Sequence, residues 1–236
     1  MRKKLHERIE VIFEDRDAII IEKAAGILSY PVEGRDEESA IRLIRRYWKF
    51  QNRSQDQLYL LHRLDKETSG VMIFAKSTLG RDSLRRQFEE HSVMRGYLAV
   101  TEGIPNDKNG MIKTFLGRNQ RGRRSVAYHG KAAITRYQVL SVDPGRKRAL
   151  VRCYLHTGRT HQVRIHMAHL NAPVIGDAVY GNRSSGRMAL HAEVLGFLHP
   201  RTGTPVVLRS SLPVELRQLL SASSRTTRDF TSSSGR

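Results

Sequence analysis

Short apolar runs, broken every few residues by charged or turn-forming positions, set the pattern of this chain. Ala18 to Ile21 and Val71 to Ala75 are continuous apolar stretches. Runs of that length read as strands covered on both faces. Tyr97 to Val100, Ile134 to Val142, Ala149 to Leu155 and Pro205 to Leu208 are further predicted strands. In one of them the period is two: Ala149, Val151, Cys153 and Leu155 alternate with Leu150, Arg152 and Tyr154. That is a pleated strand with two unlike faces.

Helical periodicity fills the spaces between. Ala40, Leu43, Ile44, Tyr47 and Trp48 share one face of a helix for which Asp36 is a candidate cap. Leu79, Leu84 and Phe88 mark a second helix with Arg81, Arg85 and Arg86 outward. His161 to Leu170 predicts a third, closed by Asn171 and Pro173. Pro213 suits the first turn of a fourth, running to about Leu220. No strict βαβ repeat emerges, and many adjacent strands read as hairpins. The expected fold is α+β, a central mainly antiparallel mixed sheet flanked by helices and loops. Residues 1–220 form one expected domain. From Ser221 to Arg236 almost nothing can be buried, so 221–236 is expected to be a disordered Ser/Thr/Arg-rich tail.

Composition narrows the class. With 39% hydrophobic and 27% charged residues among 236, the chain is that of an ordinary folded protein. Its apolar runs fall far short of the roughly 18 residues a membrane helix needs. Met1-Arg2-Lys3-Lys4 is followed by His6, Glu7, Arg8 and Glu10 rather than an apolar core, so a signal peptide is not expected. The single cysteine, Cys153, leaves no intramolecular disulfide and no multi-cysteine zinc site. A cytoplasmic protein without a membrane partner is expected.

Charge points to the partner. Forty-one Lys and Arg against 23 Asp and Glu give a net +18, and a polyanion, most often nucleic acid, is the expected counterpart. A basic tail is the plain alternative, but the excess is spread through the interior. Arg118, Arg121, Arg123, Arg124 and Lys131 form one group, Arg42, Arg45, Arg46, Lys49 and Arg53 a second, and Arg146, Lys147, Arg148 and Arg152 a third. Such a spread predicts a long surface that tracks phosphates.

Two segments carry candidate chemistry. Leu61-His62-Arg63-Leu64-Asp65-Lys66-Glu67-Thr68-Ser69-Gly70 sets a carboxylate between two cations just before a buried strand. Flanking cations favour the charged form of a carboxylate, which then serves as nucleophile or charge stabiliser. A capped turn between Asp65 and Thr68, released by Gly70, explains the same residues equally well. Leu155 to His166 gathers Arg159, His161 and Arg164 where a strand turns into a helix, a place that favours anions. A solvated basic turn is the alternative there. His161, His166, His169 and His191, with Asp177, invite a metal-dependent nuclease reading. No His-Glu-x-x-His, P-loop or Gly-x-Gly-x-x-Gly pattern occurs, so neither a metal nor a nucleotide cofactor is expected.

The stretch His62 to Gly70 resembles the H-R-L-D-x-x-T-S-G signature of the RluA-type RNA pseudouridine synthases. Ile19 to Leu28 resembles the family's opening strand and turn, and Val93 to Val100 its strand bearing a tyrosine. Thr157 to His166 resembles its TGRTHQ segment, followed in order by Pro173, Gly176-Asp177 and Tyr180-Gly181. Leu190-His191-Ala192, Phe197 and His199-Pro200 resemble its closing element. The likeness covers about residues 9–220. Ala24 stands where proline is usual, Glu22 where asparagine is frequent, and Arg95 where lysine is common. The small N-terminal RNA-binding module of many relatives is expected to be missing.

The resemblance implies isomerisation of uridine to pseudouridine within RNA, with no cofactor. Asp65 matches the catalytic aspartate, Tyr97 the active-site tyrosine that stacks on uracil, and Arg164 the arginine that pairs with the aspartate. Arg63 matches the arginine that fills the space vacated by the flipped base. His62, Arg95, Arg159, His161, Arg121, Arg123 and Arg124 are the remaining expected RNA contacts. The implied partner is RNA, with large-subunit ribosomal RNA preferred over transfer RNA, bound by a monomer. Whether the aspartate adds to the ribose or to the base stays open, as does an inactive RNA-binding relative.

Overall fold

The computed structural model describes residues 3–34, 36–52, 57–182 and 186–220. The predicted tail, 221–236, and Arg53 lie outside them. In chain order the elements are β1 (Lys3–His6), β2 (Ile9–Glu14), β3 (Ala18–Lys23), α1 (Ala40–Phe50), β4 (Tyr59–Leu60), β5 (Ser69–Ala75), α2 (Thr78–Glu89) and β6 (Met94–Glu102). There follow β7 (Asn109–Arg118), β8 (Arg124–Ala127), β9 (Lys131–Asp143), β10 (Arg148–Leu155), α3 (Gln162–His169), β11 (Leu190–Leu198), β12 (Pro205–Arg209) and α4 (Val214–Arg217).

One sheet runs β1-β2-β3-β5-β11-β6-β10-β9-β7-β8, with β4 on β5 and β12 on β11. Its pairings are antiparallel except β5 with β11. The mainly antiparallel α+β expectation holds.

The apolar runs are explained by coverage of both faces. On β3 and β5, Ile19, Ile21, Met72 and Phe74 pack with Ala40, Ile44 and Trp48 of α1. The intervening Ile20, Val71 and Ile73 pack with Leu84 of α2 on the opposite face. A strand buried on both sides has no polar positions to alternate with. A third cluster gathers Leu98, Val100, Val151, Cys153, Val163 and Met167 beneath α3 and the C-terminal segment.

Several boundaries differ from expectation. Ser39, not Asp36, caps α1: its hydroxyl accepts from the Arg42 amide, while Asp36 pairs with the Arg42 guanidinium at 3.1 Å. Strands β1, β2, β4, β7, β8 and β11 carry no signal strong enough for the periodicity reading. In β7, for instance, Met111, Lys113 and Phe115 all face solvent, which blurs the alternation.

Two of the three basic groups are also spent partly on the fold. Arg42 and Arg46 pair with Asp36 and Glu38. Arg152 makes a bidentate pair with Glu193 at 2.8 and 2.7 Å, and Arg148 donates to the Leu219 carbonyl. The phosphate-tracking surface is therefore narrower than the charge count suggests.

The junction between β5 and β11 fixes the site. His191 and Ala192 register against Ser69 and Gly70 in parallel. Gly70 has φ +117, and a Cβ there would lie 2.2 Å from the Ala192 carbonyl oxygen. Only glycine meets both demands. On its other side Ala192 registers with Tyr97, so the loop that ends at Gly70 is brought beside β6.

Candidate active site

Asp65 lies in the loop between β4 and β5, and that loop is tied down from below. Ser29 Oγ donates to the Leu64 carbonyl at 2.8 Å and accepts from the Leu64 amide at 3.0 Å. Lys23, fully buried, donates from Nζ to the carbonyls of Ala24, Ile27 and Lys66 at 3.0, 2.9 and 3.2 Å. Burial pushes its ammonium down to about 7, against the pull of Glu67 and Asp65. Substituting Lys23→Met strips three carbonyls of a donor and should lower stability by about 2–4 kcal/mol. Urea unfolding followed by circular dichroism measures it.

The Asp65 carboxylate meets α3. Arg164 Nη1 donates to Asp65 Oδ2 at 3.0 Å, while its Nε and Nη2 form a fork with Asp177 at 2.7 and 2.8 Å. Burial opposes the charge on Asp177. The hydrogen bonds and charge of Arg164 and the amides of Val179 and Tyr180 outweigh it and hold the carboxyl below its ordinary range. Burial opposes the charge on Arg164 too, but Asp177 and Asp65 outweigh it and raise its pKa, and its guanidinium lies 5.1 Å from the Tyr180 ring centroid. One arginine thus bridges a fully buried carboxylate and the partly exposed Asp65.

His161 stands beside this pair. Its Nε2 is 3.9 Å from Asp65 Oδ1, and its Nδ1 hydrogen-bonds the Tyr180 hydroxyl at 3.0 Å. It begins α3 from a left-handed backbone at φ 59, ψ 20, an uncommon conformation for a residue with a Cβ. Gln162 secures the turn: its Oε1 accepts from Thr157 Oγ1 and the Arg159 amide, both at 2.9 Å.

A cleft of about 750 Å³ opens over Asp65, lined among others by Arg63, Arg95, Tyr97, Arg159 and His161. Tyr97 enters from β6. Burial pushes its phenol up to about 12, with Arg95 pulling down and Asp65 pushing up, so the side chain is neutral around pH 7. An anionic or flipped-out group entering the cleft meets a carboxylate, a neutral phenol and several cations together.

A family model described as RNA pseudouridylate synthase matches residues 17–169. The chain belongs to that family. Its members are isomerases. The uncharacterised RNA pseudouridine synthase YhcT of Bacillus subtilis is 35% identical over 215 residues, which cover 89% of this chain and 71% of that protein. The ribosomal large subunit pseudouridine synthase D of Xanthomonas campestris pv. campestris is 34% identical over 233 residues, covering 91% of this chain and 69% of that one. Human RNA pseudouridylate synthase domain containing 1 superposes with a TM-score of 0.70 at 25% identity, covering 88% of this chain and 84% of the other. Human RNA pseudouridylate synthase domain containing 4, at 24% identity and a TM-score of 0.71, shares the fold.

Within this family member, Asp65, Tyr97 and Arg164 converge on one cleft, and Arg63, His62, Arg95, Arg159 and His161 line it with them. The cations expected to flank Asp65 do not pair with it. Lys66 turns to Glu37, and Arg63 reaches Thr160 Oγ1 at 3.4 Å. The turn reading also holds in part, since the Thr68 amide donates to the Asp65 carbonyl at 3.1 Å. That bond uses only backbone and leaves the carboxylate free to face Arg164.

His62 is placed differently from a phosphate contact. Its Nε2 accepts from the Ile73 amide and its ring stacks on Phe88, 5.0 Å between centroids. Burial, helped by Arg95, drives it down to about 3, so it carries no charge to offer a phosphate. Arg121 and Arg123 are exposed in the β7–β8 turn and Arg124 opens β8. None of the three lines the cleft, though the charge of Arg124 reaches Tyr180.

The histidines do not gather around Asp177. His166 bonds Thr114 and Thr135, and His191 bonds Ser69 and Ser210. Burial drives both down to about 4. Asp177, weighed from sequence as a metal ligand, is instead the second partner of Arg164. That role and the contact of Tyr180 with His161 had no local signal, because both depend on a loop folding back over α3.

Proposed function

We propose that this protein isomerises specific uridines in structured RNA to pseudouridine, with Asp65 as the catalytic carboxylate. The observation that carries this is the Asp65–Arg164–Asp177 arrangement facing Tyr97 across the cleft. In the reaction the bond from C1′ to N1 breaks, the uracil turns, and C5 bonds to C1′. The proton leaves C5 and N1 gains one, so atoms and electrons balance without a redox partner. Asp65 either adds to the sugar or the base or stabilises a cationic sugar, each of which suits a carboxylate.

Roles follow from position. Arg164 orients Asp65, while its fork to Asp177 keeps it from swinging away. Tyr97 stacks on the uracil as a neutral phenol and takes part in the proton transfer. Arg63, exposed and held only by a long contact to Thr160, enters the duplex in place of the flipped base. Large-subunit ribosomal RNA is the favoured substrate, because relatives that share about a third of their residues are named for it. No helix among the described residues is long and apolar enough to cross a membrane. Under this proposal the protein acts on cytoplasmic RNA as a monomer. Residues 1–220 constitute the catalytic domain under this proposal.

Mapping pseudouridines in total RNA from cells with and without the protein tests the reading. Loss of a site in large-subunit ribosomal RNA is expected. Loss only in transfer RNA moves the target, and loss nowhere removes the activity.

Arg121, Arg123 and Arg124 should supply sequence-independent affinity from outside the cleft. Replacing all three with Ala should weaken binding to every RNA and flatten the log–log salt dependence by about 0.7 per lost single-strand phosphate contact. Filter binding between low and moderate salt measures it, and an unchanged slope means these arginines do not face RNA.

A further inference from the structure

Arg95 is a buried charge left short of partners. It is only 8% exposed, yet its Nε and Nη2 are buried without a hydrogen-bond partner. No carboxylate pairs with it among the described residues. Its guanidinium lies 5.6 Å from the Phe88 ring centroid, which favours a cation but leaves its N–H groups unmet. On the other side it presses against Gly158, where a Cβ would sit 2.4 Å from Nη1. A buried charge without a partner costs several kcal/mol in general, and a fold does not need one here.

The neighbourhood sharpens the point. Arg95 and Tyr97 are two positions apart on β6, so they share a face, and both line the cleft. Arg159 enters the same cleft from the turn before α3 and donates Nε to the Ala132 carbonyl. Its charge bears unfavourably on Arg95. Two guanidinium groups that repel each other over an open cleft are relieved by an anion between them. A neutral base does not relieve them, whereas a phosphodiester does, and it accepts the planar N–H fork as well.

We propose that Arg95, with Arg159, grips a non-bridging oxygen of the backbone phosphate next to the target uridine. The step of roughly 6.6–6.8 Å between alternate residues of a strand then sets the phosphate beside the base that stacks on Tyr97. The grip registers the RNA strand in the cleft so that the sugar faces Asp65. Gly158 is part of the device, because any side chain there displaces the guanidinium. This rests on the pseudouridine synthase reading above and deepens it.

The probe is a synthetic stem–loop RNA centred on a uridine that mapping assigns to the protein. It is made as a set in which one linkage at a time near that uridine is an uncharged methylphosphonate. Arg95→Gln should raise KM on the unmodified RNA roughly 10- to 100-fold, the range of lost charge-assisted hydrogen bonds, with a much smaller change in kcat. Arg95→Lys should recover part of the loss, since it keeps the charge but not the fork. One methylphosphonate position should penalise the wild type by a similar factor and leave Arg95→Gln indifferent. The variant should also unfold at a higher temperature, because an unpaired buried charge has gone.

Equal sensitivity of the two proteins at every linkage overturns the proposal. So does a fall in melting temperature with KM unchanged, which marks a structural role. A separate arm needs no turnover: millimolar inorganic phosphate should raise the melting temperature of the wild type more than that of Arg95→Gln. If mapping finds no pseudouridine site, the activity reading fails and this arm still judges the grip. Equal shifts in the two proteins then overturn it.

Discussion

Asp65→Asn is expected to abolish pseudouridine formation, by at least about a thousandfold in turnover, and to leave the protein folded. The substitution keeps size and polarity but removes the negative charge that the proposed reaction uses. Folding survives because Arg164 retains its two bonds to Asp177, so no buried cation is abandoned. The Leu64 anchor to Ser29 and the Lys66 anchor to Lys23 use backbone atoms only, and they persist in the variant. Release of tritium from C5-labelled uridine RNA reports the chemistry, and thermal unfolding should move by no more than a few degrees. Clear tritium release from the variant refutes the role given to Asp65.

Asp177→Asn should cost stability as well as activity. Asp177 is buried, and breaking a buried ion pair by removing one partner costs roughly 3–5 kcal/mol. Arg164 then relies on Asp65 alone, and the carboxylate loses the arginine's fixed orientation. The pH dependence has a definite sign. The Asp177 carboxyl is lowered in the folded state, so its contribution is complete above the unfolded value near 4 and is lost as pH falls through the folded value. Wild-type stability should therefore drop on acidification below about pH 4, and that part of the drop should be missing from Asp177→Asn. Urea midpoints between pH 2.5 and 6 measure the difference, and parallel curves contradict the assignment.

What the sequence made legible and what it hid follow from the range of the interactions. Ala18–Ile21 and Val71–Ala75 were readable because a strand buried on both faces leaves an unbroken apolar run. The closing of α3 at Asn171 was readable because the residue takes φ 55 just after the helix. Asp65, Tyr97 and Arg164 came from motif resemblance, and their convergence is a product of sheet order, which no local pattern encodes. The cap of α1 was misassigned because Asp36 and Ser39 are both good capping residues, and only backbone geometry selects between them. Lys66 looked like a partner for Asp65 by adjacency, but the tight turn after Asp65 aims it toward Glu37. The part Asp177 plays was hidden, because a carboxylate's place in sequence says nothing about an arginine approaching from a helix.

The parallel register of β5 on β11 spans just two residue pairs. Asp65 is delivered from one side of it, and Tyr97 and Arg164 from the other. The apolar packing runs across this seam: Ile20, Val71 and Ile73 pack with Leu195 and Phe197, and Met72 and Phe74 with Ala192, so the two sides are held to one alignment. Under the proposed reading, competence depends on that alignment, since a slip along the seam parts the Asp65 carboxylate from the Arg164 guanidinium. A side chain at Gly70, which would meet the Ala192 carbonyl oxygen at 2.2 Å, should therefore cost stability and alignment together.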